Sequence, residues 1–120
     1  MRYKVLVLGA SEKEYRFSNM AIRSLLAYGH EVVAIGSRTG EVSGVPIYDN
    51  WQEAYDIHTV CMYLSPIRQT DLIANLLDLT PTRIIFNPGT ENLSFEKIAT
   101  EKNIQIIRDC TLLMLDRDRF

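Results

Sequence analysis

Four short segments carry the residues of this chain best suited to chemistry: Gly9-Ala10-Ser11, Gly36-Ser37-Arg38, Leu64-Ser65-Pro66 and Asn87-Pro88-Gly89. Three of them contain glycine, where no Cβ keeps a bound group away from the backbone. The serine hydroxyls and the Arg38 guanidinium suit a phosphate, which arginine can hold with two parallel hydrogen bonds. Arg16, followed by Phe17 and Ser18, adds a second cation just before an apolar-periodic stretch. Ser18 is expected to cap a helix there. The N–H groups of Ser18, Asn19 and Met20 are expected to stay free for an anion. A dinucleotide site that selects NAD places Asp or Glu near the end of its second strand, against a ribose hydroxyl. Gly36, Ser37 and Arg38 stand at that point instead, and they favour a ligand phosphorylated there.

The elements that must position these segments alternate. Val5 to Leu8 reads as a strand, and Ser18 to Tyr28 as a helix with Ala21, Ile22, Leu25 and Leu26 inward and Gly29 as its stop. Val32 to Ile35 is a second strand. Thr39 to Asn50 is a connection, with Pro46 to Asp49 as a short extended piece, and Trp51 to Tyr55 is expected to be a short helix. Thr59 to Leu64 is the third strand. Ser65-Pro66 then opens a helix whose inner stripe is Ile73, Leu76 and Leu77. Arg83 to Phe86 and Ile104 to Ile107 are the fourth and fifth strands, separated by a helix over Ser94 to Lys102. Cys110 to Leu115 is a terminal helix. Strands alternating with helices predict an α/β fold, a doubly wound, mostly parallel sheet of five strands in the order 3-2-1-4-5. Ligands of such sheets bind beyond the carboxyl ends of the strands, and all four segments lie there. Residues 1–120 are read as one domain.

Composition excludes several classes. The formal net charge is −2, which argues against general nucleic-acid binding. No apolar run reaches the roughly 20 residues a membrane span needs. Met1 to Lys4 enters the first strand directly, and Gly9 ends the apolar run too early for a signal peptide, so a cytoplasmic location is expected. The two cysteines, Cys61 and Cys110, form no metal-binding spacing and are expected to be reduced, partly buried thiols. Oligomeric state stays open: a homo-oligomer and a larger partner enzyme both fit.

No catalytic constellation accompanies the binding segments. His30 and His58 each precede a strand and so belong at the opposite, amino edge. Cys110 and Thr111 have no histidine to activate them, and Glu91 is a lone carboxylate. A GxGxxG motif read from Gly9 would need glycine at 11 and 14, where Ser11 and Glu14 stand. The expectation is a nucleotide site with no catalytic and no metal-ligating residue. NADP satisfies the same phosphate argument, so a small NADP-dependent oxidoreductase or NAD(P)-binding protein is the alternative. An interaction domain with a vestigial site is a third reading.

Ordered blocks along the whole chain resemble the small stand-alone CoA-binding domain family, itself similar to the CoA-binding domain of the succinyl-CoA synthetase alpha subunit. They are Val7 to Ser11, Tyr15 to Asn19, Gly29 to Val32, Gly44 to Tyr48, Tyr63 to Pro66, Ile85 to Asn92, and Cys110 to Leu112 with Met114-Leu115. The resemblance implies a Rossmann-like fold and a site for coenzyme A or an acyl-CoA. Gly9 to Ser11 and Arg16 to Ser18 would hold the nucleotide, and Gly36 to Arg38 would stand at the end of the second strand. Leu64 to Pro66 would border the adenine or pantetheine, and Asn87 to Gly89 the pantetheine arm. The synthetase's phosphorylated-histidine domain has no counterpart in these 120 residues, so ligase activity does not carry over. A carrier, sensor or regulatory module without its own catalysis is the role expected.

Overall fold

The computed structural model describes all residues from 1 to 120. The elements are β1 (Lys4–Leu8), α1 (Phe17–Ala27), β2 (Glu31–Ile35), β3 (Gly40–Val42), β4 (Val45–Tyr48), β5 (Thr59–Met62), α2 (Pro66–Gln69), α3 (Ile73–Asp78), β6 (Arg83–Phe86), α4 (Leu93–Glu101), β7 (Gln105–Arg108) and α5 (Thr111–Asp116). One 3-10 turn, Thr70–Leu72, joins α2 to α3.

The strands form one Rossmann-like sheet in the order β3-β4-β2-β1-β5-β6-β7. Every pairing is parallel except the β3–β4 hairpin. This corrects both the expected count of five and the expected order 3-2-1-4-5. The extended piece around Pro46 is a full sheet member. It turns back from β3 through Ser43 and Gly44, both at positive φ (49° and 86°), the conformation a two-residue hairpin favours. It then pairs with β2 through Ala34↔Ile47 and Ile35↔Tyr48. With that place beside β2 filled, Thr59–Met62 crosses to the other side of β1. Without β3, the six remaining strands run 3-2-1-4-5-6, the dinucleotide-binding order. The reversal of direction therefore lies between β1 and β5.

The sheet is covered on both faces, as its patterning requires. Leu6 and Leu8 of β1 join a cluster with Leu76 of α3 and Phe95 and Ala99 of α4. Val5 and Val7 point the other way, into a cluster with Ile22 and Leu25 of α1 and Met114 and Leu115 of α5. Each such fully buried side chain contributes about 1.5–3 kcal/mol. α1 ends in a Schellman arrangement: Gly29, at φ +87°, donates its N–H to Leu26 O, and His30 donates to Leu25 O. Trp51 to Tyr55 is a turn closed by the Ala54 N–H to Trp51 O bond, not the expected helix. No helix is long and apolar enough to cross a membrane.

Candidate functional site

The site forms where β1 and β5 part. Gly9 leaves β1 at φ +89°, and a Cβ there would press on Leu64 Cδ2 at 3.1 Å and the Tyr63 carbonyl at 3.2 Å. Glycine is needed both for the conformation and for this close seat against the end of β5. Gly36 has a different reason: a Cβ would collide with the Ala10 carbonyl oxygen. The N–H groups of Gly9 and Ala10 both donate to Ile35 O, at 3.0 Å each. The ends of β1, β2 and β5 are thus locked together.

Above them opens a cleft of about 420 Å³, within the range of small-molecule sites, lined by twelve residues. Gly9, Ala10 and Ser11 come from the end of β1, Glu12, Lys13 and Arg16 from the β1–α1 loop, and Ser37, Arg38 and Thr39 from beyond β2. Tyr63 and Leu64 follow β5, and Arg68 is on α2. Only Ala10, Tyr63 and Leu64 are apolar. Lys13, Arg16, Arg38 and Arg68 face one carboxylate, Glu12, and none of these four cations is in an ion pair. A cleft with a surplus of cations, in a chain of net charge −2, concentrates positive potential where an anion would enter.

The loop that carries Glu12, Lys13 and Arg16 is held by the side chains of two residues of α1, Arg23, which sequence reasoning missed, and Asn19, for which it foresaw only the backbone N–H. Buried Asn19 donates its Nδ2 to Ser11 O at 2.9 Å. Arg23 donates Nε to Asn19 Oδ1 at 2.8 Å and Nη2 to Glu14 O at 3.0 Å. The signal was available in their i, i+4 spacing on one helix face. Glu12 reaches across the mouth of the cleft to β3. Its Oε2 accepts the Glu41 N–H at 3.1 Å, and its carboxylate rests where a Cβ on Gly40 would stand.

Of the residues expected at the site, Gly9, Ala10, Ser11, Arg16, Ser37, Arg38 and Leu64 line this cleft. Phe17, Ser18, Gly36, Ser65, Pro66, Asn87, Pro88 and Gly89 do not. Phe17 is exposed at the start of α1, while Ser18 is buried. The N-cap position belongs to Arg16, correcting the expected Ser18 cap, and no side chain caps the helix. The Met20 N–H is taken by Arg16 O, so of the three amides expected to be free only those of Ser18 and Asn19 are. Ser65 caps α2 by position, ahead of Pro66, and both are exposed beside Leu64. Asn87 is committed to the fold: Nδ2 donates to Met62 O at 3.1 Å, and Oδ1 accepts the Thr111 N–H at 2.8 Å. Pro88 and Gly89 are exposed on the next strand end. Since β5 stands between β1 and β6, the 87–89 loop is one strand away from the cleft.

Buried Gln69 ties these two regions together. Its Nε2 donates to Leu64 O and to Thr90 O at 2.8 Å each, and its Oε1 accepts from Asn92 Nδ2 at 2.9 Å. Both cysteines are free, Cys61 buried and Cys110 half-buried. Burial pushes the Cys61 thiol up to about 12 and Tyr63 above its ordinary range, so neither ionises near neutral pH.

The family model described as "CoA binding domain" matches residues 3–116. A crystal structure of an uncharacterized protein superimposes with TM-score 0.97 at 37% identity, covering 100% of this chain and 99% of that one. A hypothetical protein from Pyrococcus horikoshii OT3 gives TM-score 0.87 at 24% identity, over 96% of this chain and 83% of that one. The acetyl-coenzyme A synthetase 1 of Ca. Korarchaeum cryptofilum, solved with phosphate and ADP, gives TM-score 0.72 at 16% identity, covering 89% of this chain and 25% of that one. No curated protein matches the chain.

Proposed function

The chain belongs to the CoA binding domain family, and on that premise we propose that it binds coenzyme A or an acyl-CoA in the cleft beyond β1, β2 and β5. One observation carries the reading: four cations without ion-pair partners converge on a glycine-floored cleft at the point where the sheet reverses direction. Coenzyme A brings a 3′-phosphate and a pyrophosphate, which demand such a set of cations. Arg38, beyond β2, would meet the 3′-phosphate. Lys13 and Arg16, from the β1–α1 loop, would meet the pyrophosphate. The pantetheine arm would leave past Leu64 toward Ser65, Pro66 and the exposed Pro88-Gly89 turn, where Gly89 has open space around it.

The role proposed for the chain is that of a carrier, sensor or regulatory module. The NADP reading rests on the same phosphate argument and calls for a proton donor, and the one tyrosine lining the cleft, Tyr63, has its hydroxyl oxygen buried. Arg38→Ala tests the assignment. It should weaken coenzyme A by about tenfold or more, the worth of one charge-assisted hydrogen bond, and leave dephospho-coenzyme A nearly unchanged. Equal losses for the two ligands would remove Arg38 from the 3′-phosphate.

A further inference from the structure

We infer that Glu12 is a specificity-determining residue of this cleft, one that reads a free ribose hydroxyl next to a phosphate. The inference rests on the nucleotide reading above. Doubly wound sheets that hold a ribose place an acid at the end of their second strand. Here that strand runs out into Gly36, Ser37 and Arg38, yet the fold brings a carboxylate to the same place from another element. Glu12 leaves the β1–α1 loop and lies over Gly40, two residues beyond Arg38.

Three features make this position a built one. The Glu41 N–H holds Oε2 at 3.1 Å. Gly40 has no side chain, and a Cβ in its place would collide with the Cγ, Cδ and Oε1 atoms of Glu12. The second oxygen, Oε1, has no hydrogen-bond partner in the chain, and no cation lies within ion-pair distance of either oxygen. The carboxylate thus presents an unused acceptor to a cleft whose other charges are all positive. An acceptor and a guanidinium side by side match a sugar that carries a hydroxyl on one carbon and a phosphate on the next. A second phosphate in place of that hydroxyl would meet repulsion from Glu12.

Adenosine 3′,5′-bisphosphate and its 2′-deoxy counterpart differ only in that hydroxyl, and calorimetry on the full chain measures both. The parent should prefer the ribose form by about tenfold, as expected for a hydrogen bond to a charged acceptor. Glu12→Ala removes the carboxylate. Gly40→Ala leaves it in the chain but displaces it, and Gly40 is not at positive φ, so alanine fits its backbone. Both variants should bind the two nucleotides with a ratio below about twofold. The ratio matters rather than the absolute affinity, because a loosened loop would weaken both ligands alike. A parent without the preference, or a preference that survives in either variant, overturns the assignment. If the parent binds neither nucleotide, the nucleotide reading itself fails, a result distinct from binding without preference.

Discussion

The two edges of the sheet are built from similar residue types and do opposite things. At the carboxyl edge, four cations stand unpaired around an open cleft. At the amino edge, cation, imidazoles and aromatics are packed shut. Tyr3 stacks on His58 at 4.0 Å and lies parallel to His30 at 5.7 Å, and Phe120 leans on His30 at 5.0 Å. Arg83, only 8% exposed, lies 4.6 Å from the Phe120 ring and 5.3 Å from that of Tyr3. Its Nε donates to Thr59 Oγ1 at 2.8 Å, and His30 Nδ1 accepts the Tyr3 N–H at 3.0 Å. Burial makes the difference. Arg83 is buried against two aromatic rings with one hydrogen bond, although its Nη2 has no partner and no carboxylate pairs with it, whereas Arg38 is exposed at the open cleft. Residue type alone does not separate an arginine such as Arg83 from one such as Arg38.

The sharpest way to break this comparison is to exchange the effects of the two arginines. Arg83→Ala removes one of the two partners of the Thr59 hydroxyl, which keeps His58 Nδ1 at 2.7 Å, and opens the stack, and should cost about 2 kcal/mol, or roughly 8 °C in melting temperature. Its coenzyme A affinity should match the parent's. Arg38→Ala should do the reverse, melting like the parent and losing affinity. A stability loss from Arg38→Ala, or an affinity loss from Arg83→Ala, would erase the division between the edges.

A smaller effect comes from pH. Burial first, then the positive N-terminus and Arg83 for His30 and Arg83 for His58, hold both imidazoles below the ordinary value of 6.5. The unfolded chain therefore takes up protons first as pH falls. Stability should be full above about pH 6.5 and decline below it, and His30→Gln together with His58→Gln should flatten that decline. Chemical denaturation between pH 7.5 and 5 reads it directly. A parent as stable at the acid end would mean that the amino edge is not packed as described.

Much of this was legible in the sequence because local signals agreed with one another. The apolar period of α1, with Gly29 as its stop, predicted an element that the structure contains within a residue or two, whereas the single helix expected from Pro66 through Leu77 is broken into α2 (Pro66–Gln69), a 3-10 turn (Thr70–Leu72) and α3 (Ile73–Asp78). The order of the strands was less legible. Val42-Ser43-Gly44-Val45 carries a two-residue hairpin turn, but the strands on either side are three and four residues long, too short for a clear period. Leaving β4 out of the sheet placed the 87–89 loop beside Gly9, where the structure puts Tyr63 and Leu64. Lys13 and Arg68 escaped because surface cations on loops and short helices have no spacing signature, and Glu12 because its role arises from a contact with Gly40 across the fold.

Calorimetric binding of coenzyme A, dephospho-coenzyme A, NADP and NAD to the same preparation tests whether the cleft is a coenzyme A site. Coenzyme A should bind with a clear preference, and NAD most weakly. A melting assay at 100-fold excess over the dissociation constant should then show about 2.7 kcal/mol of stabilisation. Preference for NADP would contradict the coenzyme A assignment while keeping the phosphate site, and no response to any of the four would contradict the account of the cleft itself.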